Sequence, residues 1–99
     1  MSVVKLNTTN FDTAITNGTV LVDFYTDRCR SCRTFSRITR EIASERDDIT
    51  VGKVNVESDG ALARQYDVID VPTLIVFKDG KEKARFGVYR PKEAILAEL

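Results

Sequence analysis

The chain has 99 residues, of which 42% are hydrophobic, enough for a single domain with a modest core. Lys and Arg together number 15, Asp and Glu together number 15, and the formal net charge is zero. A neutral chain has no overall field that would draw it to nucleic acid or to an anionic membrane surface. We therefore expect one domain over residues 1–99, with neither nucleic acid nor a membrane as its partner.

The N-terminal segment MSVVKLNTTNF lacks the basic flank and the apolar stretch of a signal peptide. Apolar runs elsewhere are far shorter than the ~18 residues that suggest a membrane span. We therefore expect a cytoplasmic protein, and nothing in the sequence requires more than a monomer. In the cytosol most thiols stay reduced, so a cysteine pair there is more often catalytic or metal-binding than structural.

The predicted elements begin with a strand over residues 3–6 and a helix that Thr8 or Thr9 caps and that stops at Gly18. The segment TVLVDFYT, residues 19–26, is rich in β-formers and apolar on both faces. A strand of this kind is typical of the middle of a covered, mostly parallel sheet.

The second half of the pattern continues the alternation of helix and strand. Phe35, Ile38 and Ile42 recur on one face, which predicts a helix from about residue 29 to residue 46. This helix is followed by a strand over residues 49–56 and a short helix near 61–66. Two strands around an Asp-Gly turn come next, within residues 71–88, and a last helix starts at Pro91. The order β-α-β-α-β-α-β-β-α predicts an α/β fold with helices on both faces of a sheet.

Both cysteines lie in DRCRSCRTF, residues 27–35, at the junction of the second strand and the second helix. Two residues that are three apart on a helix lie on one face, within the distance that a disulfide spans. The unpaired N–H groups and the dipole at a helix start favour an anion. Cys29 is therefore predicted to be the nucleophilic thiolate of a redox pair with Cys32.

Arginines surround this pair, at Arg28, Arg30 and Arg33. Cations near a helix start oppose the dipole, so we expect a thiolate or an acidic partner surface to compensate them. Screening by water limits their effect on a thiol pKa to about one unit. For Arg37 and Arg40, farther along the same helix, we favour a solvated helix face.

Metal binding is the main alternative for an isolated C-x-x-C motif. Zinc takes four ligands, and the chain has no further Cys and no His. Two carboxylates or a second subunit would have to complete a site, as in a metal or iron–sulfur carrier that pairs two C-x-x-C motifs across a dimer. We assign no metal ligands. The absence of His also excludes Ser-His-Asp and Cys-His hydrolases.

The segments LVDFYTDRCRSC, VPTLIVFKDG and the Phe86-Gly87 pair, in this order and spacing, resemble the thioredoxin family over nearly the whole chain. The resemblance implies the thioredoxin fold, a central mixed sheet flanked by helices on both faces. It also implies a thiol:disulfide oxidoreductase that reduces protein disulfides without a bound cofactor and receives electrons from a thioredoxin-reductase-type enzyme. In that reaction Cys29 would attack the substrate disulfide and Cys32 would resolve the mixed disulfide.

The resemblance assigns roles to five further positions. Asp23 matches a buried acid that accepts the proton of the resolving thiol, and Lys53 matches the partner of that acid and tunes the redox couple. Val71 would offer backbone hydrogen bonds to an extended substrate, next to a cis bond at Pro72. Gly87 matches a glycine that keeps the substrate groove shallow. A redox-weak protein-binding module that uses this groove is the second alternative.

The sequence departs from the family's usual W-C-G-P-C pattern. Arg28 stands at the Trp position, Arg30 and Ser31 replace Gly-Pro, and Tyr25 stands where another Trp is usual. Without the Pro, the Ser31 N–H is free to donate to a thiolate. That donor, with Arg30 and Arg33, favours the reduced form and predicts a somewhat more oxidising couple. The basic surface at Arg28 and Arg30 predicts acidic substrates.

Overall fold

The computed structural model of the protein describes residues 3–87 and 90–99. Within these residues it contains five strands and four helices in the predicted order. The strands are β1 (Val4–Lys5), β2 (Thr19–Tyr25), β3 (Thr50–Asn55), β4 (Thr73–Lys78) and β5 (Lys81–Phe86). The helices are α1 (Phe11–Ile15), α2 (Cys32–Glu45), α3 (Gly60–Gln65) and α4 (Lys92–Leu96). The predicted continuation of the last strand to residue 88 lies outside the described residues.

The five strands form one mixed sheet in the order β1-β3-β2-β4-β5. β1, β3 and β2 run parallel, whereas β4 pairs antiparallel with both β2 and β5. The central strand β2 therefore has partners on both sides. The α/β class and the mixed sheet flanked by helices are confirmed.

Side chains of β2 alternate between two hydrophobic cores, one on each face of the sheet. Val20, Val22 and Phe24 pack on the face covered by α1 and α3, together with Phe11 and Leu62. On the opposite face Leu21 packs against α2 and α4, in a cluster whose helical members are Phe35, Ile38, Ile42, Ala43 and Ile95. Asp23 and Tyr25 follow Leu21 at intervals of two and so lie on the α2 face.

Two helix starts differ from the prediction. α2 begins at Cys32 rather than near residue 29, because Arg30 and Ser31 form a turn in which the Arg33 N–H donates to the Arg30 carbonyl at 3.1 Å. α1 is preceded by Asn10 and not by a Thr cap. The Thr cap is wrong because the Asn7 side chain already accepts the N–H groups of Thr9 and Asn10.

No helix among the described residues is long and apolar enough to cross a membrane. The longest element, α2, has 14 residues and a polar outer face.

Gly52 is required by the close approach of β3 to the residue that follows β1. A Cβ at Gly52 would clash with Leu6 Cδ1 and would lie 2.9 Å from Leu6 Cγ, and Leu6 is fully buried. We therefore expect Gly52→Ala to lower the free energy of unfolding by about 1 to 3 kcal/mol through overpacking. Urea denaturation measures this effect.

Gly87→Ala is the matched control for this stability measurement. Among the described residues, no atom lies within 4 Å of the position that a Cβ at Gly87 would take. Equal unfolding free energies for the two variants would contradict the steric account of Gly52.

Candidate active site

The two cysteines form a disulfide with a Cα–Cα distance of 5.3 Å. Cys32 is buried as the first residue of α2, with 3% of its surface exposed, whereas Cys29 is partly exposed in the preceding turn. The unequal exposure leaves the Cys29 sulfur as the one that a substrate can reach.

The Cys29 sulfur accepts a hydrogen bond from the Cys32 N–H at 3.1 Å. The sequence predicts the N–H of Ser31 as this donor, and the structure places the Cys32 N–H there because α2 begins at Cys32. Ser31 contributes its hydroxyl, whose oxygen lies 3.5 Å from the Cys29 sulfur. A first-turn N–H with no helical acceptor is a donor that favours an anion on this sulfur.

A cavity of about 250 Å³ lies beside the disulfide. Two of its lining groups are cations, Arg33 from α2 and Lys53 from β3. Among the described residues, the lining consists of Tyr25, Thr26, Asp27, Cys29, Cys32, Arg33, Ser36 and Lys53. The cavity thus brings both sulfurs and two cations to one place.

Asp23 is only 2% exposed, in the middle of β2, opposite Lys53 on β3 and Leu74 on β4. Its Oδ1 atom is buried and has no hydrogen-bond partner in the part of the chain that the structure describes. Burial raises the pKa of Asp23 from 3.8 to about 7, and the charge of Lys53 opposes that rise to a smaller extent. The carboxyl group can therefore hold or release a proton near neutral pH.

Lys53 is a neighbour of Asp23 in the sheet but forms no direct ion pair with it among the described residues. Its Nζ atom lies 5.8 Å from the centre of the Tyr25 ring, within the range of a cation–π contact. The sequence prediction did not include Tyr25 as a site residue. Its position two residues after Asp23, on the same face of β2, is the signal that could have identified it.

Asn55 and Asp27 are two further polar residues at this end of the sheet that the sequence prediction missed. The Asn55 side-chain amide donates to Asp27 Oδ2 at 3.5 Å, and Asn55 faces Tyr25 in the register of β2 and β3. Burial and the carboxylates of Asp27 and Asp23 raise the pKa of the Tyr25 hydroxyl, so it stays protonated at neutral pH.

The arginines divide into two groups. Arg28, Arg30 and Arg33 are exposed around the disulfide and form no ion pair within the described residues, and of these only Arg33 lines the cavity. Farther along α2, Arg37 is exposed and Arg40 donates to Ser36 Oγ at 2.9 Å. The positive charge at the redox pair is therefore not neutralised by ion pairs within this part of the protein.

Val71, Pro72 and Gly87 lie at the same end of the sheet as Cys29. Pro72 directly precedes β4, whose first residue Thr73 pairs with Phe24 near the end of β2, and Gly87 directly follows β5. The Val71–Pro72 peptide bond is cis, as the resemblance implies. These residues do not line the cavity, and Gly87 borders open space.

Among the described residues, no group of three or more His, Cys, Asp or Glu side chains is arranged to hold a metal ion. The chemistry that this arrangement supports is thiol–disulfide exchange, which needs only two sulfurs and a route for protons.

A family model described as Thioredoxin matches residues 2–99. A thioredoxin of Chlamydia pneumoniae is 41% identical over 88 residues, which cover 89% of this chain and 86% of the relative. A thioredoxin of Mycobacterium tuberculosis is 38% identical over 99 residues, which cover 97% of this chain and 85% of the relative. Among solved structures, a mutant thioredoxin from Halobacterium salinarum NRC-1 superposes with a TM-score of 0.88 and 31% identity, covering 95% of this chain and 84% of that one.

These similarities extend over almost the whole chain and include the turn and helix that carry the two cysteines. Together with the Cys29–Cys32 disulfide, they show that the chain belongs to the thioredoxin family and is a thiol–disulfide oxidoreductase.

Proposed function

We propose that the protein reduces protein disulfides by cycling Cys29 and Cys32 between dithiol and disulfide, with Cys29 as the attacking group. The observation that carries the proposal is the unequal setting of the two sulfurs. Cys29 is partly exposed and accepts the Cys32 N–H, whereas Cys32 is buried. Thiol–disulfide exchange moves two electrons between sulfur atoms, so no bound cofactor is part of the proposal.

In the first step the Cys29 thiolate attacks one sulfur of the substrate disulfide. A bond forms between Cys29 and that sulfur, and the other substrate sulfur leaves as a thiolate that takes a proton from solvent. In the second step Cys32 loses its proton and attacks the Cys29 sulfur. The bond between Cys29 and the substrate breaks, and the second substrate sulfur leaves as a thiolate that also takes a proton from solvent. The substrate gains two electrons and two protons, and the protein is left with the Cys29–Cys32 disulfide.

Asp23 is the proposed acceptor of the Cys32 proton. It lies on the face of β2 that α2 covers, and Cys32 is the first residue of α2. Burial brings the pKa of Asp23 to about 7, close to the ordinary pKa of a thiol. A base with that proton affinity can take a proton from Cys32 and return it to solvent at neutral pH.

The charged and polar groups around the pair are proposed to tune the couple. Arg30, Arg33 and Lys53 stabilise negative charge on sulfur, and the Ser31 hydroxyl lies 3.5 Å from the Cys29 sulfur. All of these groups favour the thiolate over the disulfide. The proposal is therefore a couple somewhat more oxidising than is usual in the family.

Val71, Pro72 and Gly87 form the proposed substrate groove, with Arg28 and Arg30 on its other side. In this groove the backbone of Val71 hydrogen-bonds an extended substrate segment beside Cys29. The open space at Gly87 leaves room for that segment.

The redox cycle needs two partners, a protein disulfide and a reductase. Substrates with acidic residues near their disulfides are proposed because Arg28, Arg30 and Arg33 have no ion pair within the described residues. The electron donor is proposed to be of the thioredoxin-reductase type. The proposal treats the protein as a cytoplasmic monomer, because one chain supplies both thiols and the cytosol keeps thiols reduced.

Serine variants of the two cysteines test the order of attack. We expect Cys32→Ser to accumulate a mixed disulfide between Cys29 and the substrate, because the resolving thiol is missing. Cys29→Ser should form no adduct and should lose turnover. Non-reducing gels and intact-mass measurement detect the adduct. An adduct on Cys32 in the Cys29→Ser variant, at the wild-type rate, would reverse the assignment, and an unchanged cellular function of that variant would favour the binding-module alternative.

The buried Asp23 predicts a fall in stability with rising pH. The folded protein keeps this proton up to about pH 7, whereas the unfolded chain releases it near 3.8, so the unfolded state binds fewer protons between these values. Each pKa unit corresponds to about 1.4 kcal/mol, so this group lowers the free energy of unfolding by about 4 kcal/mol across that interval.

Asp23→Asn should abolish that part of the pH dependence, which urea unfolding of the oxidised protein at about pH 4, 6 and 8 would show. A variant curve parallel to the wild-type curve would exclude a raised pKa at Asp23.

Salt tests the proposed preference for acidic substrates. Raising ionic strength from about 0.01 M to about 1 M shortens the Debye length from roughly 30 Å to roughly 3 Å. We expect kcat/KM for an acidic disulfide protein to fall about three- to tenfold over this range, because steering by exposed charge is lost. Replacing Arg28 and Arg30 together by Gln should flatten the salt dependence, whereas Arg40→Gln should keep it. A flat wild-type profile would count against the preference.

A further inference from the structure

The cavity beside the disulfide is lined by charged side chains that thiol–disulfide exchange does not itself require. Its lining holds two cations, Arg33 and Lys53, and one carboxylate, Asp27. Tyr25, Thr26 and Ser36, which each carry a hydroxyl group, line the cavity together with the two cysteines. With both sulfurs in a disulfide and therefore uncharged, the lining has a net charge of +1.

Neither cation is neutralised by a direct ion pair in the described part of the chain. Arg33 is exposed on the first turn of α2. The Lys53 ammonium lies over the Tyr25 ring at 5.8 Å, and Tyr25 is itself part of the cavity wall. Asp23, the sheet neighbour of Lys53, is only partly ionised at neutral pH because burial raises its pKa to about 7. Lys53 is thus directed toward the cavity and lacks a fixed counter-charge.

Asp27, the one carboxylate in the lining, has a polar partner of its own. Its Oδ2 atom accepts the Asn55 side-chain amide at 3.5 Å. Asp27 therefore weakens the attraction for an anion without removing it, since two cations face one carboxylate.

The volume is sufficient for a side chain. About 250 Å³ is many times the roughly 10–15 Å³ that a cavity needs in order to hold one water molecule. A carboxylate on a short methylene stem fits within that space.

We propose that this cavity is a carboxylate-binding subsite, in which Arg33 and Lys53 hold the side chain of an acidic residue next to the target cysteine of the substrate. The subsite deepens the proposed reductase function and rests on it, because the cavity wall includes Cys29. It differs from general attraction to the basic surface, because it requires the acidic residue to be adjacent to the reacting sulfur.

The charge balance of the reaction explains when the subsite acts. In the reduced protein the Cys29 thiolate cancels the net positive charge of the lining. Attack on the substrate turns both bonded sulfurs into an uncharged mixed disulfide and sends the negative charge away on the leaving thiolate. The lining then returns to a net charge of +1, which the substrate carboxylate neutralises. Binding therefore strengthens as the mixed disulfide forms, which raises the rate of attack.

The test uses two peptide disulfides that differ only in having Glu or Gln next to the cysteine that is attacked. The second-order rate of their reduction by the pre-reduced protein is measured under single-turnover conditions. We expect the wild type to reduce the Glu peptide about three- to fivefold faster than the Gln peptide, as an exposed ion pair allows. Arg33→Gln should bring this ratio close to one.

Arg37→Gln is the matched control, because Arg37 lies one helical turn farther along the exposed side of α2 and does not line the cavity. It removes the same charge and should keep the wild-type ratio. Lys53→Gln should lower the ratio as Arg33→Gln does. If Arg33→Gln and Arg37→Gln lowered the Glu-to-Gln rate ratio equally, the preference would come from long-range electrostatic attraction. That result would overturn the subsite.

Reduction of the Gln peptide reports on the proposed function separately. If the wild type reduces both peptides at the same rate, the subsite is wrong and the reductase function stands. If it reduces neither, both proposals fall.

Discussion

The structure depends on the burial of β2, which has a strand on each side and a hydrophobic core on each face. Its apolar side chains join the two cores, and its C-terminal end delivers the chain to the turn that carries Cys29. Helix α2 starts at Cys32 and is fixed on the sheet by Phe35 and Ile42, both fully buried. The reactive turn is therefore held between a buried strand and a buried helix face, which sets the position of both sulfurs.

The same burial creates the acid–base chemistry of the site. Asp23 occupies a β2 position where an apolar residue would be more stable, and its Oδ1 atom finds no hydrogen-bond partner among the described residues. The cost of charging a carboxyl group in that environment moves its pKa toward neutrality. Burial of this carboxyl group costs stability and leaves a group that can exchange a proton near neutral pH, as is common at functional sites.

The charge distribution around the redox pair distinguishes this chain from the usual family pattern. A molecule with no net charge has an arginine before, between and after its two cysteines, and a lysine in the cavity next to them. Because these groups lack ion pairs within the described residues, their charge is available to a thiolate in the free protein and to an acidic partner in a complex. Under the proposed function, one set of cations contributes to both the reactivity of the sulfur and the choice of substrate.

The sequence by itself determined the order of the elements, the double-sided burial of β2, the redox pair and the buried setting of Asp23. These features follow from the local spacing of apolar, turn-forming and cysteine residues, which short-range geometry is enough to interpret. Only the tertiary structure decided that α2 begins at Cys32, that the Cys32 N–H meets the Cys29 sulfur and that Lys53 lies over Tyr25 instead of pairing with Asp23. These three features depend on turn geometry or on side-chain conformations that are set by contacts between distant segments. The spacing of residues in the sequence encodes neither the turn geometry nor those conformations.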